Sequence, residues 1–111
     1  MTLDHFLDRR YEFNKYNCGH FVVEVWKYLT GEDLAGACKD FLQTGFQKTR
    51  RDRIRIEQPE SPCLVVLTSR RTVPHVGIYW EGRMIHLNAL VGARWEHLDM
   101  LPSQYTQHYF K

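Results

Sequence analysis

Tyr16-Asn17-Cys18-Gly19-His20-Phe21-Val22-Val23 is the stretch on which the fold of this chain turns. From it onward Phe21, Val22, Val25, Trp26 and Leu29 recur at helical spacing, and Gly31 stands where a helix would end. Asn17 is a natural N-cap, because its side-chain carbonyl accepts from the free amides of a first turn. The pattern predicts a helix over residues 18–30 with Cys18 at its N-terminus. The positive end of the helix dipole and the unpaired N–H groups there favour a thiolate over a thiol, so the reading predicts a reactive cysteine.

Working outward, Leu3, Phe6, Leu7 and Tyr11 predict a short amphipathic helix over 3–13 that packs on the cysteine helix, with 14–17 as the loop between them. Leu34, Ala37, Cys38, Phe41 and Leu42 predict a third helix over 33–46, closed by Gly45. Cys38 and Cys63 read as small core residues. The basic run Lys48-Thr49-Arg50-Arg51-Asp52-Arg53-Ile54-Arg55 reads as a solvated loop leading into a short edge strand. It lacks interleaved aromatics and any nucleic-acid motif, so no nucleic-acid partner is expected.

After Pro62 the period changes from helical to extended. Cys63-Leu64-Val65-Val66-Leu67 is a buried strand by length and composition, and His75-Val76-Gly77-Ile78-Tyr79-Trp80 is a second. Glu81-Gly82 makes a tight connection to a third, Arg83-Met84-Ile85-His86-Leu87, and 92–98 is a fourth. The aromatic stretch 102–111 is expected to dock as a last turn or short strand. The fold class is α+β: N-terminal helices packed on an antiparallel β-meander, in one domain over 1–111.

Composition sets the bounds. The 111 residues suffice for one core, and 43% hydrophobic with 25% charged residues is an ordinary globular balance. A net charge of +2 is too small to imply a polyanion partner. No apolar run reaches the roughly 20 residues that span a bilayer, so no membrane span is expected. Met1-Thr2-Leu3-Asp4-His5 lacks a basic start and apolar core, so no signal peptide is expected and the chain is placed in a cytoplasm. Three widely spaced cysteines, an odd number, are not a disulfide framework.

A cysteine nucleophile needs a base, and the base needs an orienting partner. A two-residue turn at Glu81-Gly82 pairs residues whose numbers sum to about 163, which puts His75 and His86 on one face as diagonal neighbours. Cys18, His75 and His86 thus form a candidate catalytic set. The chemical alternative is a zinc site from the same three residues, but no pair has the close spacing of zinc motifs. His20, in the first turn of the helix, either lines the groove or is exposed.

A cysteine at a helix start followed by Phe-Val-Val-x-Val-Trp, then His75-Val76-Gly77-Ile78-Tyr79, Gly82 and His86, resembles the NlpC-type cysteine peptidases. The resemblance covers about Tyr16 to Leu87, and the Asn-Cys-Gly-His-Phe-Val form with Thr30-Gly31-Glu32-Asp33 is similar to small phage and prophage variants. It implies a papain-like fold and hydrolysis of peptide bonds in peptidoglycan stem peptides. It also implies Cys18 as nucleophile, His75 as base and His86 as orienting residue, with no cofactor. The backbone amide of Cys18 would help to stabilise the oxyanion. Asn17, Gly19 and Tyr16 are the expected oxyanion and groove residues, and a site tyrosine of the family corresponds to Tyr11 or Tyr16. The expected partners are the peptide substrate and phage tail or tail-tip proteins, with incorporation into a virion tail. The alternative is a weakly active or inactive structural subunit of a tail assembly.

Overall fold

The structure, a computed structural model, describes residues 2–13, 15–37, 53–70 and 74–111. Among the described residues two helices, α1 (Cys18–Thr30) and α2 (Leu34–Ala37), precede six strands. The strands are β1 (Arg55–Ile56), β2 (Cys63–Thr68), β3 (His75–Trp80), β4 (Arg83–Asn88), β5 (Gly92–Glu96) and β6 (Thr106–Phe110). They form one antiparallel sheet in the order β1-β6-β2-β3-β4-β5, so the chain is α+β.

Helix α1 has the ends that its sequence predicts. Gly31 closes it in the left-handed region at φ 80°, and its N–H reaches the Lys27 carbonyl at 2.8 Å. Phe21, Val22, Val25 and Trp26 form its buried stripe. That stripe packs on Leu64, Val66, Val76, Ile78, Ile85, Leu87 and Phe110 of the sheet. The opposite face carries Val65, Leu67 and Met84 under Leu98, Leu101 and Tyr105 of the C-terminal segment. Both faces are therefore covered, which is why β2 reads as a continuous apolar run rather than an alternation.

The β3–β4 hairpin has the expected turn and register. Glu81 and Gly82 both adopt positive φ, 49° and 90°, as a two-residue turn with the twist of its strands requires. The pairs are Ile78↔Ile85, Tyr79↔Met84 and Trp80↔Arg83.

Several expectations are refined or bounded by the structure. The first segment is not a helix over 3–13 but a 3-10 turn, Asp4–Asp8. Leu3 and Phe6, three apart, bury themselves on one side of that tighter coil. Arg9 then turns extended, and its carbonyl accepts from the Ala93 N–H at 3.2 Å, so a bond to the sheet replaces further helix. The C-terminal stretch, expected as a last turn or short strand, is the strand β6, which lies inside the sheet between β1 and β2 and satisfies the second edge of β2. The expected fourth strand stops at Glu96, and Leu98 opens a 3-10 turn. Of the expected helix over 33–46 the structure describes α2. The remainder with Cys38, and the basic run through Asp52, lie outside the described residues. The edge strand expected after that run is β1.

Candidate active site

The site begins with the cap that positions Cys18. Asn17 Oδ1 accepts from the N–H groups of Gly19 at 2.9 Å and His20 at 3.2 Å, while the Asn17 N–H donates to His20 Nδ1 at 3.1 Å. This is a capping box with histidine in the place usually held by Glu or Gln. It resolves the role of His20, which the sequence left open. Cys18 follows as the first helical residue and faces a cavity of about 440 Å³, which His75, His86, Arg94, Glu96 and Tyr11 also line.

The route from helix to histidines runs through the sheet. β3 and β4 pair only from the turn to Ile78↔Ile85, although β3 extends back to His75 and β4 on to Asn88. The N–H of Val76 is thus not committed to β4 and lies against the Cys18 sulfur. By register His75 and His86 share the face away from α1, and Cys18 meets them in the cavity at this end of the strands.

His75 Nε2 lies 2.8 Å from His86 Nδ1, with the rings edge-on at 77°. His86 is 4% exposed, and its Nε2 lies 2.9 Å from Glu96 Oε2, so both nitrogens of a buried ring have partners. Gly77 makes the approach possible. It faces His86 across the hairpin, and a Cβ there would stand 2.9 Å from the Ile85 carbonyl oxygen, 3.0 Å from His86 Cβ and against the Met84 methyl.

The electrostatics depart from the expected thiolate. Burial pushes the Cys18 thiol up, and the N–H groups of Val76, Gly19 and Cys18 itself do not offset it. Burial, with the neighbouring His86 as second cause, lowers His75 from 6.5 to about 4. His86 is also lowered by burial, against the opposing hydrogen bond and charge of Glu96. The resting site is therefore a neutral thiol beside neutral imidazoles. Among the described residues no hydrogen bond joins Cys18 to His75.

The structure thus brings Cys18, His75 and His86 to one cavity. It gives the three expected groove residues other partners. Asn17 and Gly19 are engaged in the helix cap. The Tyr16 hydroxyl donates to Glu24, whose other oxygen Arg9 approaches at 3.4 Å. Of the two tyrosines, Tyr11 lines the cavity. Glu96 is the residue that the sequence reading missed. β4 and β5 pair as His86↔Arg94 and Met84↔Glu96, so Glu96 is diagonal to His86 on one side as His75 is on the other. Extending the register count through the next hairpin would have found it. Among the described residues no group of His, Cys, Asp and Glu is placed to hold a metal ion.

Chemically, the cavity holds a thiol, a neutral imidazole and an anchored chain of partners behind that ring, groups that can serve acyl transfer. No model of a known protein family matches the chain, and a comparison with curated proteins finds no match. No helix of the described residues is long and apolar enough to cross a membrane.

Proposed function

We propose that the chain is an NlpC-type thiol hydrolase that cleaves a peptide bond in peptidoglycan stem peptides, carried on a phage tail or tail tip. The observation that supports this reading most is the shared cavity of Cys18, His75 and His86, with the two rings hydrogen-bonded at 2.8 Å. The mechanism starts from the neutral pair. As the Cys18 sulfur attacks the carbonyl carbon, its proton passes to the bare nitrogen of His75. The resulting imidazolium gives that proton to the leaving amine as the C–N bond breaks, leaving a thioester on Cys18. His75 then takes a proton from water as it attacks the thioester, and returns it to the departing sulfur. The amide of Cys18, at the helix start, is the candidate donor to the oxyanion.

Acid-quenched intact-mass spectrometry during incubation with a stem tetrapeptide tests the proposal. Wild type is expected to carry the acyl fragment on Cys18, and Cys18→Ala to carry none. Hydrolysis that persists in Cys18→Ala would remove Cys18 as the nucleophile.

A second reading, an inactive structural subunit of a tail assembly, draws on the raised Cys18 thiol and the missing bond from Cys18 to His75. It predicts no cleavage by wild type and stable association with tail proteins.

A further inference from the structure

The distances alone leave open which nitrogen of each ring carries the proton. We infer that Glu96 is a positioning residue that fixes the tautomer of both histidines and so leaves His75 Nδ1 bare to act as the base. The inference rests on the reading of His75 as base and follows the hydrogen bonds inward from Glu96.

A carboxylate only accepts, so the 2.9 Å bond between Glu96 Oε2 and His86 Nε2 places a proton on that nitrogen. Burial holds His86 neutral, and a neutral imidazole has a single N–H, so its Nδ1 is a bare acceptor. The 2.8 Å bond from His86 Nδ1 to His75 Nε2 must then be donated by His75. His75 is neutral as well, so its one proton is on Nε2 and its Nδ1 carries a lone pair. That nitrogen is the one left to take the thiol proton in the cavity shared with Cys18.

Without an acceptor at 96 the chain of bonds can run in reverse. His86 could hold its proton on Nδ1 and donate to His75 Nε2. His75 would then keep its own proton on Nδ1, where a base is needed. The same distances would be preserved and the site would be unable to act as a base. Glu96 thus selects one of two arrangements that are otherwise equal in geometry. Gly77 has a complementary part, since only a residue without Cβ lets His86 stand close enough to pass the choice on.

Ring 15N spectra of histidine-labelled protein near neutral pH test this, in wild type, Glu96→Gln and Glu96→Leu. Wild type is expected to show His75 and His86 both protonated on Nε2. Glu96→Gln, whose amide can present either its oxygen or its NH2 to His86 Nε2, is expected to show both proton arrangements. Glu96→Leu is expected to move the His75 proton to Nδ1 and, on a stem tetrapeptide, to lower kcat on the order of 100-fold with KM unchanged. A wild-type His75 protonated on Nδ1, or a Glu96→Leu spectrum like wild type, would overturn the inference. If Glu96→Leu does not fold, the wild-type spectrum decides: His75 protonated on Nε2 supports the inference and His75 protonated on Nδ1 overturns it. The spectra need no substrate, so a wild-type protein that cleaves nothing counts against the hydrolase reading alone.

Discussion

At Cys18 two effects act on one sulfur. The helix start offers N–H groups and a favourable dipole, which the sequence shows plainly through Asn17 and the apolar stripe behind it. The loss of water from the cavity wall opposes them and prevails. Burial is set by residues as distant as Val76 and Tyr11, so no local reading of Asn17-Cys18-Gly19 could weigh it. Iodoacetamide labelling of Cys18 is expected to stay slow through neutral pH and to rise only above the ordinary thiol value of 9.0. A rise near pH ~6 would mean a thiolate–imidazolium pair and contradict the neutral resting site. His75 gives a second consequence. Its folded value of about 4 lies below the ordinary 6.5, so across that window the unfolded chain binds more protons and stability falls as the pH drops. The loss is up to roughly 3 kcal/mol for this group. It is measurable as the difference in urea midpoints between pH 7 and 4.5, and His75→Ala should lose that part of the fall.

At the scale of the element, the β3–β4 hairpin carries the site. Its register was legible because Glu81-Gly82 admits only one tight turn, and the count from that turn places His75 and His86 together. The same count carried across to β5 reaches Glu96, but only once Gly92 to Glu96 is known to return alongside β4. The first segment was misread because apolar spacing cannot distinguish an α-helix from a short 3-10 turn whose next residue bonds to β5. Gly77 is the test of the hairpin as a positioning device. Gly77→Ala forces the new methyl against the Ile85 carbonyl, which is backbone and cannot turn aside. It is expected to cost about 1–3 kcal/mol in chemical denaturation and to weaken the contact between His75 and His86. An alanine variant of wild-type stability would show that β3 and β4 can separate freely here.

For the whole molecule, the α+β class and the order of helices before strands follow from the change in period after Pro62. The place of β6 does not. Nothing in Thr106–Phe110 marks an interior strand, and its position follows from the need of β2 for a partner on its second edge. Phe110 is 2% exposed and packs in the core beneath α1, so the last strand holds the sheet that carries the site. Phe110→Ala is expected to cost about 3–5 kcal/mol, a large part of the roughly 5–15 kcal/mol that stabilises a domain. A loss below about 1 kcal/mol in urea denaturation would mean that β6 is dispensable. The function itself is tested most directly by mass spectrometry of peptidoglycan stem peptides incubated with wild type, Cys18→Ala and His75→Ala at neutral pH. A single new pair of fragments is expected with wild type, and intact peptide with both variants. Intact peptide with all three proteins, or the same fragments from Cys18→Ala, would contradict the proposed function.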